Sequence, residues 1–167
     1  MMMRFIDTKE YWERRLKSFC NLEGVGCIGL GSFFNLYIYR AKVRTIERMA
    51  RKFKISFKEK EVLDVGSGIG FWIDYYIRKD ARLIYGVDIA SSAIKYLKQK
   101  YADRVNIELF KGNFADFELK KSFDVVYHVV DDTLFTKFVE NLCKHLKVGG
   151  FLFITDTFRK IIEHTHT

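Results

Sequence analysis

At 167 residues and 49% hydrophobic content, the chain is long enough to bury one core and too short for two. Its formal charge of +8 is uneven: residues 1–60 carry the whole excess and residues 61–167 balance, so any attraction for nucleic acid, acidic lipid or an acidic substrate belongs to the first third. Three cysteines without a Cys-x-x-Cys pair argue against a disulfide framework and a zinc site, and the apolar run over 25–39 falls short of the ~20 residues of a membrane helix.

No stretch has the order of a secretory signal, so a soluble, cytoplasmic protein without membrane contact or metal is expected. Asp7 or Thr8 caps a first helix in which Tyr11, Trp12, Arg15 and Phe19 fall at helical spacing. Gly24, Gly26, Gly29 and Gly31 then read as a flexible apolar loop. A second helix follows, with Leu36, Tyr39, Val43, Ile46, Ala50 and Phe53 as its core stripe and its Arg and Lys facing water. Residues 1–60 therefore form a helical extension. Aromatics Tyr11, Trp12 and Tyr39 beside a glycine hinge give it the look of a lid that helps enclose a substrate.

Residues 62–72, VLDVGSGIGFW, organise the remainder. A short apolar strand enters a glycine turn and leaves as a helix, an arrangement that offers backbone amides to a ligand. Gly66 and Gly68 permit positive φ and close approach, and Gly70 permits tight packing of helix on strand. Asp64 interrupts the strand, where a carboxylate is costly to bury without a donor. A helix over 71–79 packs through Trp72, Ile73, Tyr76 and Ile77. The second strand, 82–87, ends in Asp88, about the ~20 residues after Gly68 at which an acid meets ribose hydroxyls.

A helix over 91–101, capped by Ser91 or Ser92, leads to a third strand at 105–110 and then Gly112-Asn113-Phe114. A fourth strand at 123–130 carries Tyr127 and His128 near its tip, where open α/β sheets gather substrates. Asp131 or Asp132 caps a helix with Leu134, Phe135, Phe138, Leu142 and Leu146 on one face. Gly149-Gly150 end that helix, and 151–155 form a fifth strand. The pattern is α/β: a Rossmann-like, doubly wound, mostly parallel sheet of about five strands, with a domain over 61–167 and the extension over 1–60.

Asp64-x-Gly-x-Gly-x-Gly, Asp88, Gly112-Asn113-Phe114 and Leu146-Lys147-Val148-Gly149-Gly150 together resemble the class I S-adenosylmethionine-dependent methyltransferases over roughly residues 60–156. The resemblance implies that Gly66, Ser67, Gly68 and Gly70 shape the turn holding the methionine end, with Asp64 facing its amino group. It places Asp88 on the ribose hydroxyls, Ile89 on the adenine face, and Asn113 and the Phe114 amide at the adenine edge. Small methyltransferases of this kind are also similar in Tyr11-Trp12-Glu13, Gly24-Val25-Gly26, Asn35 and Tyr39-Arg40, within a segment that folds over the cofactor. The implied reaction is in-line methyl transfer, which needs a general base only if the acceptor must lose a proton. Tyr127 and His128 are therefore candidates rather than assigned catalytic residues.

Two departures stand out. Relatives have a longer stretch between the fourth-strand Phe-Asp-Val-Val and the Tyr-His-Val-Val-Asp-Asp that follows, and their sheet has seven strands. An apolar fifth strand at the edge implies either a shortened polypeptide or a homodimer formed across it. The acceptor is expected first among small molecules, with nucleic acid reachable through basic residues 40–60, notably Arg44, Arg48, Arg51 and Lys52. The rivals are a non-catalytic S-adenosylmethionine-binding or scaffold protein and, more distantly, a nicotinamide-dependent oxidoreductase. The Gly-x-Gly-x-Gly spacing disfavours the latter.

Overall fold

The computed structural model describes residues 7–129 and 135–155. Three helices come first: α1 (Thr8–Ser18), α2 (Leu22–Val25) and α3 (Gly31–Lys52). Strands and helices then alternate as β1 (Glu61–Val65), α4 (Phe71–Ile77), β2 (Leu83–Asp88), α5 (Ser91–Lys100), β3 (Ile107–Lys111), β4 (Phe123–Val129), α6 (Phe135–Lys144) and β5 (Leu146–Thr155). The sheet order is β3-β2-β1-β4-β5, and every pairing is parallel. The chain steps outward from β1 through β2 to β3 and returns to the other side of β1 for β4. The crevice at that reversal, beyond the carboxyl ends of β1 and β4, is where doubly wound sheets bind ligands.

All five residues of β1 are buried, as a central parallel strand requires. Its side chains alternate between two cores. Val62 packs with Ile73, Tyr76, Ile84 and Leu97 on one face, while Leu63 and Val65 pack with Phe123, Val126 and Leu142 on the other. Asp64 shares the face of Val62. The extension is part of the first core, because Ile46 and Ala50 of α3 are buried in it. Lys79 closes the contact from α4 through an ion pair to Glu47 at 2.8 Å.

The structure corrects several local expectations. The glycine stretch is no loose loop. Asn21 caps α2 by accepting from the Glu23 and Gly24 amides. The fully buried Asn35 accepts from the Cys27 amide and donates to the Cys27 and Gly31 carbonyls. Neither Ser91 nor Ser92 caps α5. Ala90 holds that position, and its amide donates to Asp88. At the end of α6, Leu146 already pairs with Phe123, so the strand starts before the two glycines that were expected to precede it. Gly149, at φ +77°, lies inside β5, and the pairing with β4 shifts between Phe123 and Val125, as at a bulge. Asp131, Asp132 and Leu134 lie outside the described residues.

At the amino ends of the strands, Glu61 gathers Arg82, Lys121 and Lys147 at 2.8–3.0 Å, and its own amide donates to Asp124. Four successive parts of the sheet are tied at one carboxylate. The Lys147 hydrogen bond leads the interactions that hold Glu61 below its ordinary value. A depressed acid adds stability above its unfolded value, here 4.5, and that contribution disappears as pH falls through the folded one. Glu61→Gln is accordingly expected to cost about 1–2 kcal/mol at neutral pH, the exposed cations being screened, and to flatten the acid limb below pH ~4.5, measured by urea denaturation.

Candidate functional site

Four amides of the turn after β1 are already engaged within the protein. Gly66 and Ser67 amides both donate to the Val87 carbonyl, at 2.8 and 3.2 Å. The Gly68 amide donates to Asp88 Oδ2 at 2.8 Å, and the Gly70 amide to the Ser67 carbonyl at 2.7 Å. The turn is thus stitched to the end of β2, and its positive φ values at Gly66, Gly68 and Gly70 serve that closure. Gly70 acts between helices rather than between helix and strand: a Cβ there would lie 2.5 Å from the Tyr101 hydroxyl and 2.8 Å from Leu97. A Cβ on Gly68 would meet Val25 at 2.6 Å, so the end of α2 sits directly on the turn.

Asp64 is wholly buried, and among the described residues neither carboxylate oxygen has a hydrogen-bond partner. The nearby Ser67 hydroxyl donates to the Asp64 main-chain carbonyl at 2.9 Å. In register, Asp64 stands between Gly86 of β2 and Tyr127 of β4. A Cβ on Gly86 would strike the Ser67 hydroxyl and Leu109 at 2.8 Å, so the glycine lets those side chains pack against the strand. Burial pushes the Asp64 carboxyl up to about 7; Ser67 opposes the rise and the charge on Asp88 adds to it. A buried acceptor with no donor is what a cationic ligand group would satisfy.

Asp88 is buried and accepts from the Gly68 and Ala90 amides, both at 2.8 Å. Burial raises its carboxyl above the ordinary range despite those bonds, and each oxygen retains capacity for a second donor. Beside it, Ile89, Gly112 and Asn113 join Lys111 and the start of α1 around a cleft of about 490 Å³. Asn113 Oδ1 accepts from the Ala115 amide at 3.2 Å. The Phe114 ring is in the second core against Phe138 and His145, so only its backbone is available to a ligand. Asn141 of α6 holds this loop, donating to the Phe114 and Phe117 carbonyls.

A methyltransferase-domain family model matches residues 62–150, the stretch that carries the turn, Asp88 and Asn113. The chain belongs to that family. Its five described parallel strands give the Rossmann-like α/β fold that the resemblance implied, against the seven strands expected of the whole family sheet. Among curated relatives, protein arginine N-methyltransferase 8-B of Danio rerio is 31% identical over 107 residues, covering 58% of this chain and 25% of that protein. Ribosomal RNA small subunit methyltransferase A of Sulfurihydrogenibium sp. (strain YO3AOP1) is 27% identical over 97 residues, covering 58% of this chain and 34% of that protein. The chain thus spans about a quarter to a third of the curated relatives it matches. Among solved structures, the DhpI–SAH complex superposes with a TM-score of 0.65 at 19% identity, over 89% of this chain and 66% of that one.

In this methyltransferase domain the extension meets the turn through α1, where Trp12 and Glu13 stood in the motif and Arg15 was noted only for its helical spacing. Arg15 donates to the Tyr11 hydroxyl at 2.6 Å and to the Glu23 and Gly26 carbonyls, and its guanidinium carbon lies 5.0 Å from the Trp12 ring centroid. Glu13 accepts from the Ser92 amide at 3.2 Å. Trp12 packs with Leu16, Val25, Ile69 and Ala90. The Tyr-Trp-x-x-Arg spacing on one helix was the available signal for Arg15. Tyr39, expected at a substrate surface, is instead buried. Its hydroxyl donates to the Val25 carbonyl at 3.1 Å and its ring lies 4.6 Å from Phe71; burial pushes the hydroxyl up to about 12. Tyr127 is fully buried with its ring 4.3 Å from Trp72, so it lines the layer around Asp64 rather than an open cleft. The His128 backbone pairs with Val65 and Ile154, and its side chain lies outside the description.

Because the folded state holds the Asp64 proton more tightly than the unfolded chain, stability falls as pH rises from 3.8 toward about 7 and levels off beyond. The loss across that window is on the order of 4 kcal/mol. Asp64→Asn is expected to remove most of this decline, with Asp88 supplying the remainder. Urea denaturation of the ligand-free protein at pH 5 and pH 8 measures it; equal slopes for wild type and variant would contradict the assignment.

Proposed function

We propose that the chain binds S-adenosylmethionine across the carboxyl ends of β1 and β2 and transfers its methyl group to an acceptor. The observation that carries this reading is the buried, unpartnered carboxylate of Asp64. An α-ammonium is a donor and a cation, so it satisfies both of that group's deficits. Asp88, already oriented by two amides, accepts from the ribose hydroxyls with its remaining lone pairs. Ile89 and Asn113 border the cleft that takes the adenine, Asn113 through its side-chain amide. The ligand supplies a methyl group already activated on a sulfonium, so the chain contributes orientation and exclusion of water.

Arg15 is a positioning residue in this scheme. By holding the Glu23 and Gly26 carbonyls it keeps Val25 over the turn, and the extension acts as the lid. The acceptor is unassigned by these contacts. The names of the curated relatives, a protein arginine methyltransferase and a ribosomal RNA methyltransferase, put macromolecular acceptors beside the small molecule that the sequence suggested.

Calorimetric titration with S-adenosylmethionine and S-adenosylhomocysteine tests the reading. Micromolar binding is expected, weakened ten- to a hundredfold by Asp88→Ala, about 1.4–2.7 kcal/mol. Below pH ~7 the Asp64 proton must leave before an ammonium can pair with it, so affinity rises with pH up to about 7. It then holds until the ligand's own α-amino group deprotonates, near ~8. Arg15→Ala is expected to weaken binding about tenfold through the loosened lid. Absence of binding by a folded protein would overturn the cofactor assignment.

A further inference from the structure

Six exposed residues form one outward line along α3: Phe33, Tyr37, Arg40, Arg44, Arg48 and Arg51. Their spacing of three or four residues keeps them on one face, and the line is about 27 Å long, with neighbouring arginines about 5–6 Å apart. Phe33 is 87% and Tyr37 64% exposed. Among the described residues Arg40, Arg44 and Arg48 make no ion pair. Glu47, the acid within this helix, is turned to Lys79. The opposite face of α3 is used up in the core through Tyr39, Ile46 and Ala50.

The line has a direction. At its aromatic end, Asn35 fastens the Cys27 and Gly31 backbone, and Tyr39 is bonded to Val25, which rests on Gly68. Its arginine end runs away from that turn, toward Lys79 at the far end of α4. Aromatic rings at the end of α3 that is fastened to the turn, and a file of planar, fork-shaped cations leading away from it, match a polymer that has flat bases and regularly repeated phosphates.

We propose that this face of α3 is a docking track for single-stranded nucleic acid, with the arginines on successive phosphates and Phe33 and Tyr37 stacking on bases. The proposal deepens the methyl-transfer reading by naming an acceptor class, and rests on that reading for the direction of the track. A bilayer fits less well. A helix lying on lipid presents apolar side chains along its length, whereas the middle of this outward face is arginine.

The test uses the 167-residue chain without added S-adenosylmethionine, so that failure here is distinct from failure of cofactor binding. Fluorescence anisotropy with a labelled mixed-sequence 16-nucleotide RNA, titrated at several salt concentrations, reads the track. Arg44→Gln/Arg48→Gln is expected to reduce the slope of log affinity against log salt by about 1.4, since each phosphate contact on a single strand contributes about 0.7. Phe33→Ala and Tyr37→Ala are expected each to weaken binding tenfold or more with the slope unchanged. All four side chains are exposed, and an unchanged thermal midpoint would confirm intact folding. The proposal is overturned if neutralising the arginines leaves affinity and slope unaltered. It also fails if the aromatic substitutions have no effect, which marks a generic polyanion contact, or if the protein binds phosphatidylglycerol vesicles and not the RNA.

Discussion

A carboxylate without a donor, at the centre of a strand buried on both faces, is the constraint around which this domain is arranged. Asp64 shares its face of the strand with Val62, beside the buried Tyr76 and Tyr127, and Gly86 on the neighbouring strand lets Ser67, Leu109 and Ile73 close in next to it. The glycine turn is then bound down to the end of β2 by the Gly66, Ser67 and Gly68 amides, and two buried carboxylates stand beside it. Such a site selects positive charge. The same chemistry that makes the ligand-free protein less stable near neutrality is relieved when a cation arrives.

Stability and ligand handling occupy opposite ends of the sheet. At the amino ends, Glu61 and Asp124 draw Lys60, Arg82, Lys121 and Lys147 together around the entries to four strands. At the carboxyl ends, two acids are held in surroundings that raise their affinity for protons. Among the described residues one acidic cluster is compensated by cations and the other is not, the contrast expected between a fastening and a candidate binding site.

Much of the fold was legible because its signals are periodic. Alternation of short apolar runs with helical stripes places the first four strands within about two residues and the second half of the fifth, and Asp64, Asp88 and the glycines stand at or near strand ends. What escaped was the set of partners that distant segments supply. No local rule says that the Gly68 amide goes to Asp88, that Ala90 rather than Ser91 precedes α5, or that Asn35 organises a stretch whose glycines read as slack. Tyr39 and Tyr127 were misplaced for a related reason. An amphipathic ring near a strand tip or a hinge looks the same in sequence whether it lines a cleft or fills the layer beneath it. The continuation of β5 through Gly149 was hidden because two adjacent glycines are the ordinary mark of a helix end.

Asn141 has a wider consequence. Its side-chain amide suspends the loop bearing Asn113 from α6, whereas Asp64 and the glycine turn belong to β1 and β2. In the proposed binding mode the two ends of a nucleoside-containing ligand would therefore meet different supports, one rooted in the central strands and one hung from α6. A displacement of α6 would shift the nucleobase edge while leaving the amino-acid end in place. Discrimination among bases could thus drift in evolution, or be adjusted by whatever leans on α6, without disturbing the charged anchor.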